Sequence, residues 1–161
     1  MSPRFAGLVV ALVGIAVDQM HKWWMLGPFG MPDRGRITVA PFLDLVMVWN
    51  RGVSYGLFTQ NSDLGRWALV AVGLLGAALF SWGLFRSDRL LPAVSLGLVI
   101  AGAVSNAIDR VLYGAVADFF LFRIGSFEWY VFNLADVWIV AGVVGMLLAW
   151  ATERPEKATE A

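Results

Sequence analysis

Long apolar stretches alternate along the chain with shorter segments dense in glycine, proline and charge. Four such stretches stand out, from about Phe5 to Leu26, Trp67 to Phe85, Leu90 to about Leu112, and about Val131 to Ala151. Each approaches or reaches the roughly 20 residues that a helix needs to cross a bilayer. The pattern predicts an all-α membrane protein with four transmembrane helices. Trp67 to Phe85 and Leu90 to Ile108 carry no charge, and their glycines and alanines permit close helix contact, so spans two and three read mainly as walls. The other two are interrupted, the first by Asp18 near its end and the fourth by Asp136 near its start. Polar groups therefore gather at one membrane face.

Residues 28–65 hold Pro28, Gly30, Pro32, Gly35, Pro41, Gly52 and Gly56 between short apolar runs such as Ile37 to Ala40 and Phe42 to Trp49. That segment is too broken for a further span and too apolar for a loose linker. It predicts a small extracytoplasmic β-sheet between helices 1 and 2, lying on the membrane surface. Residues 113–130 read as an irregular interfacial segment whose Phe119, Phe120, Phe122, Trp129 and Tyr130 suit the headgroup layer. Residues 86–91 form a tight turn, and residues 152–161 read as a disordered tail. Arg4 followed by an apolar run imitates a secretory signal peptide. Asp18, Gln19, His21 and Lys22 follow without a small-residue cleavage pattern, so the N-terminal span is expected to be retained.

Composition places this pattern in lipid: of 161 residues, 59% are hydrophobic and only 15% charged, and mean hydropathy is +0.70. The chain reads as a single integral membrane domain spanning 1–161. Net charge is zero, so no global field attracts nucleic acid. The absence of cysteine excludes thiolate chemistry, and the lone histidine, His21, cannot build a metal site, so no metal or cofactor is expected. Charge leaves orientation balanced. Placing residues 86–91 in the cytoplasm leaves most basic residues outside, yet the density of Arg86 and Arg89 in that short turn favours it.

An ionisable group at membrane depth is costly and marks a functional site by default. Asp118 lies in Ala117-Asp118-Phe119 with no evident cap to serve. Asp136, with Asn133 before it, is placed equally well to cap the fourth helix. Asn106, Asp109 and Arg110 share one face of the third span, and read either as a lock between helices or as a substrate clamp. Asp18 and Lys22 stand i, i+4 as an intrahelical ion pair, with Lys22 able to snorkel toward the headgroups. Asn50 reads as a turn residue or as an amide that fixes a peptide. Trp23, Trp24 and Trp49 read as interface anchors.

Taken in order, these blocks resemble the bacterial lipoprotein signal peptidases, the type II signal peptidases. Asp18-Gln19-Met20-His21-Lys22 is similar to the family's Asp-Gln-x-x-Lys, and Asn50-Arg51-Gly52-Val53-Ser54-Tyr55 to its Asn-x-Gly-x-Ala-Phe. Asn106-Ala107-Ile108-Asp109-Arg110 fits Asn-x-x-Asp-Arg, and the Asp118 and Asp136 blocks fit those holding the family's two catalytic aspartates. Ser54 and Tyr55 replace the usual Ala and Phe, and Ala101 and Ser105 stand where glycines are common.

The resemblance implies an aspartic endopeptidase with Asp118 and Asp136 catalytic. Asp18, Lys22, Asn50, Gly52, Asn106, Asp109, Arg110 and Asn133 would bind substrate or support the site, with Asp109 orienting Arg110. Its implied partners are lipid-modified prolipoproteins and membrane lipid, with no obligate protein partner. Its implied place is the bacterial cytoplasmic (inner) membrane, multi-pass, with the site on the extracytoplasmic side. The competing readings are a proton-coupled carrier or lipid-binding scaffold, which would spread polar groups across the bilayer, and a metal-dependent hydrolase, which lacks histidines.

Overall fold

The computed structural model describes residues 1–52 and 62–152. The expectations for Ser54, Tyr55, Gly56 and the tail beyond Thr152 lie outside the described residues. In chain order the elements are α1 (Pro3–Leu26), β1 (Ile37–Ala40), β2 (Leu43–Asn50), α2 (Asp63–Arg86), α3 (Leu90–Tyr113), β3 (Val116–Ile124), β4 (Phe127–Phe132) and α4 (Leu134–Ala151). All four helices are long and apolar enough to cross a membrane.

Local chemistry sets the helix starts. Ser2 caps α1, accepting from the Phe5 N–H, and Pro3 occupies the first helical position, where its missing N–H costs nothing. Ser62 caps α2, so that helix begins at Asp63 rather than Trp67. The fourth helix starts at Leu134, not Val131, because Val131 and Phe132 finish β4 and Asn133 is the N-cap.

The sheet needs a larger correction. It is antiparallel with order β1-β2-β3-β4, so its location is not the segment between helices 1 and 2 alone. Half of it, β3 and β4, follows α2 and α3 within the segment expected to be irregular. Apart from Asp118, Val116 to Phe122 is apolar on both faces, which removes the alternation that marks a strand. The turn did carry a signal. Ile124 pairs with Phe127 across Gly125-Ser126, and Gly125 has φ +60°, the left-handed conformation that glycine adopts without strain at a two-residue hairpin.

The reading of span three as a wall also fails. Helix α3 is the hub: half of its apolar window is buried, against 17% for α2 and for α4, and it packs on each of the other three helices. Small residues make this possible. A Cβ on Gly102 would run into the Ala135 carbonyl and Ile139, so glycine here lets the first turn of α4 lie directly against α3.

Candidate active site

The two hairpins and the start of α4 converge on Asp118 and Asp136. Asp118 lies on β3, almost wholly buried. Its Oδ1 accepts from Asn133 Nδ2 at 2.7 Å and its Oδ2 from Asn50 Nδ2 at 3.1 Å. Asp136 closes a capping box at the head of α4. Its Oδ2 accepts from the Asn133 N–H at 3.2 Å, and its own N–H donates to Asn133 Oδ1 at 3.0 Å. That last bond fixes the Asn133 amide: with Oδ1 held by a backbone donor, Nδ2 must face Asp118. One asparagine thus engages both carboxylates, and Asn106 Nδ2 donates to Asp136 Oδ1 at 3.0 Å. The cap reading and the site reading of Asp136 are therefore compatible.

Beneath the carboxylates lies an ion cluster. Lys22 is buried, with Nζ 2.9 Å from Asp18 Oδ2, 2.8 Å from Asp109 Oδ2 and 3.2 Å from Asn106 Oδ1. Its three donors are spent on three partners, so it does not snorkel to the headgroups. Asp18 reaches further than its intrahelical pairing with Lys22. Its Oδ1 accepts from the Ala135 N–H at 2.9 Å and its Oδ2 from Ser105 Oγ at 2.7 Å. Asp109 accepts from Gln19 Nε2 at 2.9 Å and from the Ala117 N–H at 3.1 Å. It ties β3 to α1 and α3, and its charge also acts on Arg110.

Arg110 instead donates to the Gly52 carbonyl at 2.7 Å and the Asn106 carbonyl at 3.2 Å. Asn50 is both a turn residue and a site residue, since its Oδ1 accepts from the Gly52 N–H at 3.0 Å while its Nδ2 serves Asp118. Asp18, Lys22, Asn50, Gly52, Asn106, Asp109, Arg110, Asp118, Asn133 and Asp136 are joined here in one network of contacts. Trp23, Trp24 and Trp49 are exposed.

Burial pushes the Asp118 carboxyl up to about 7, and the charge of Asp136 adds to the rise. Hydrogen bonds from Asn50 and Asn133 and the Lys22 ammonium pull the other way. A second ionised carboxylate nearby disfavours losing the proton of the first, which is the sense of the Asp136 contribution. A cavity of about 240 Å³ opens over Asp136, lined also by Asn50, Asn106, Arg110, Tyr130 and apolar residues of α2, α3, β3 and α4. Beside it, an apolar groove of about 340 Å³ runs along α4 from Trp129 and Tyr130 to Val144, and Asp136 borders both. Among the described residues, no group of three or more His, Cys, Asp or Glu is placed to hold a metal ion.

Sequence reasoning missed Ser105 and Gln19. Ser105 was marked only as a departure from glycine, yet its hydroxyl donates to Asp18 and accepts from Gln19 Nε2 at 3.2 Å. Its position one residue before Asn106 on a buried helix was the available signal. Asp44, fully buried on β2 among Arg36 and Arg123, was also missed.

Comparison with known proteins points the same way. The family model described as Signal peptidase (SPase) II matches residues 10–152. A lipoprotein signal peptidase of Methylobacterium sp. (strain 4-46) is 48% identical over 160 residues, covering 98% of this chain and 97% of that protein. One of Methylorubrum extorquens (strain PA1) is 50% identical over 143 residues, covering 89% and 84%. The fold is similar to a solved structure described as a bacterial membrane enzyme, with TM-score 0.81 at 23% identity over 96% of this chain and 93% of that one. With most of its length matched by both the family model and these relatives, the chain belongs to the signal peptidase II family.

Proposed function

We propose that this protein is an aspartic endopeptidase that removes the signal peptide from diacylglyceryl-modified prolipoproteins, cutting immediately before the lipidated cysteine. It works from the extracytoplasmic side of the bacterial inner membrane. The observation that carries the reading is the Asn133 side chain and backbone bridging Asp118 and Asp136, which supports a paired-carboxylate site beside the cavity. Membership of the signal peptidase II family supplies the reaction class, and the names of the relatives supply the substrate.

In this reading Asp118 carries the pair's proton below neutrality and Asp136 is the ionised member. Asp136 removes a proton from water, the water oxygen attacks the scissile carbonyl, and Asp118 protonates the developing oxyanion. Collapse of the tetrahedral intermediate breaks the C–N bond and re-forms the carbonyl, the hydroxyl proton returning to Asp118 while the leaving amine takes a proton from Asp136. Arg110, with Asn50 and Asn106 on the cavity wall, holds the substrate backbone. Lys22, Asp18 and Asp109 keep the asparagines and the start of α4 in place. The cavity has the polar groups to grip an extended peptide, while the neighbouring groove on α4 offers apolar wall to the membrane-embedded parts of the substrate.

Asp118→Asn and Asp136→Asn variants, purified in detergent, are expected to keep the helical fold and lose cleavage of a diacylated prolipoprotein by about 10³-fold or more. Wild-type turnover in either variant, with the fold intact, rejects the dyad.

A further inference from the structure

Asp44 lies near the opposite end of β2 from Asn50 and takes no part in the chemistry above. It is fully buried, and its Oδ2 accepts from Arg36 Nε at 2.7 Å and lies 2.8 Å from Arg123 Nε. Arg36 in turn pairs with Glu128 at 2.7 Å. These residues come from the approach to β1, from β2, from β3 and from β4. Register puts them on one face, since Asp44 pairs with Leu121 and Arg123 pairs with Glu128. Asp118, Val48 and Asn50 belong to the other face.

That division is unusual for β2, because residues 44, 48 and 50 have the same parity and in a regular strand would all point one way. A bulge separates them. Between the pairs Leu45↔Phe120 and Val48↔Asp118, β2 advances three residues while β3 advances two. The extra residue reverses the facing of the rest of β2 and brings the Asn50 amide to Asp118. Without it, a one-residue slip would regularise the ladder and turn Asn50 to the far face.

We propose that the Asp44–Arg36–Arg123 cluster is a register lock. By pinning the distal half of β2 to β1 and β3 it holds the bulge in place, and so positions Asn50 on Asp118. Asp44 is then a positioning residue acting through Asn50. Two features favour a lock over a general stabilising role. The cluster joins strands from two separate interhelical segments, where register is least constrained by chain connection. Its carboxylate is also wholly buried beneath two partly exposed guanidinium groups, and registry is the best-attested use of a buried charge.

The inference rests on the aspartic-peptidase reading, and the test separates the two. The charges facing Asp118 are those of Asp136 on α4, Lys22 on α1 and Arg110 on α3. None of them is altered by changes at Asp44 or Asn50. The Asn50 bond favours ionised Asp118, so its loss moves the alkaline limb of the pH profile of kcat/KM to higher pH. Asn50→Ala, Asp44→Ala and the double variant are compared on a diacylated prolipoprotein. Both single variants are expected to lower kcat/KM at pH 6 by about tenfold, the weight of one hydrogen bond to a charged group, and to shift the alkaline limb upward alike. The double variant should match Asn50→Ala, because the amide Asp44 positions is already gone. An unmoved limb in Asp44→Ala, or losses that multiply in the double variant, overturns the lock. Should Asp44→Ala not fold, Arg123→Gln, which leaves Asp44 paired with Arg36, is read by the same criteria. Retained activity in Asp118→Asn would reject the peptidase reading instead, whatever the Asp44 series gives.

Discussion

Asp18 on α1 accepts a hydrogen bond at 2.9 Å from the backbone N–H of Ala135, the second residue of α4. A carboxylate from the first helix thus satisfies a donor that the first turn of the last helix leaves open, and sits where the helix dipole favours it. The same carboxylate binds Lys22 and Ser105. Asp18→Ala strips all three at once and is expected to cost about 3–5 kcal/mol, the usual penalty for breaking a buried pair from one side. Asp18→Asn, which keeps an acceptor for Ala135, should cost about 1–3 kcal/mol. Thermal unfolding in detergent checks the order. An Asp18→Ala protein that melts with the wild type would show that this anchor contributes nothing.

The raised carboxyl of Asp118 gives a signed pH dependence. Its folded value of about 7 lies above the ordinary carboxylate range. Its contribution to stability is therefore fully present at low pH and declines as pH rises through about 7. Activity that needs its proton falls on the same side. The charge of Asp136 is one cause of the rise, so removing it in Asp136→Asn must lower the Asp118 titration. Infrared detection of the protonated carboxyl stretch reads this without turnover. A titration that stays or climbs in Asp136→Asn would mean the two groups do not share a site.

Much of this site was legible because charge in apolar sequence is expensive and so conspicuous. Asp18, Lys22, Asp109, Asp118 and Asp136 were all visible on that ground. Their pairing was not. Sequence offers Lys22 a partner at i−4, whereas the structure adds Asp109 from α3, and no periodicity reports a contact between distant segments. β3 was hidden for a related reason: with apolar residues on both faces beside Asp118 and Arg123 it does not alternate, and only Gly125-Ser126 advertised the hairpin. Asp44 was overlooked because a single acid in a short strand looks like a residue of the solvent-facing side until its two arginines are brought over it.

Arg110 tests whether shape or charge matters at the cavity wall. Its guanidinium spans the Gly52 carbonyl at 2.7 Å and the Asn106 carbonyl at 3.2 Å, a fork that a lysine ammonium cannot reproduce. Arg110→Lys keeps the charge yet is expected to lower kcat/KM about 10- to 100-fold, the equivalent of one charge-assisted bond, with most of the loss in KM. Arg110→Gln should lose more. Steady-state kinetics on the lipidated substrate separate these outcomes. Near-wild-type kinetics in Arg110→Lys would leave only the charge as relevant.

Gly102 offers the most direct test of how helix packing sets the site. A Cβ at this position meets the Ala135 carbonyl and Ile139 Cγ1 well inside contact distance. The backbone oxygen cannot rotate away as a side chain would, so α3 and α4 must separate. Asn106 lies one turn along α3 from Gly102, and its amide holds Asp136 at 3.0 Å. A few tenths of an ångström of separation is enough to lengthen that bond and to disturb the Asp18–Ala135 anchor beside it. Gly102→Ala is expected to cost about 1–3 kcal/mol of stability, as overpacking does, and to lower kcat about tenfold or more through misplacement of Asp136. Gly76, around whose Cβ position no neighbouring atom lies within 4 Å, is the control, since Gly76→Ala adds a methyl group on open surface. Thermal unfolding and turnover measured together on the pair decide the matter. If Gly102→Ala behaves like Gly76→Ala in both, the close approach of α3 and α4 does not position the carboxylate.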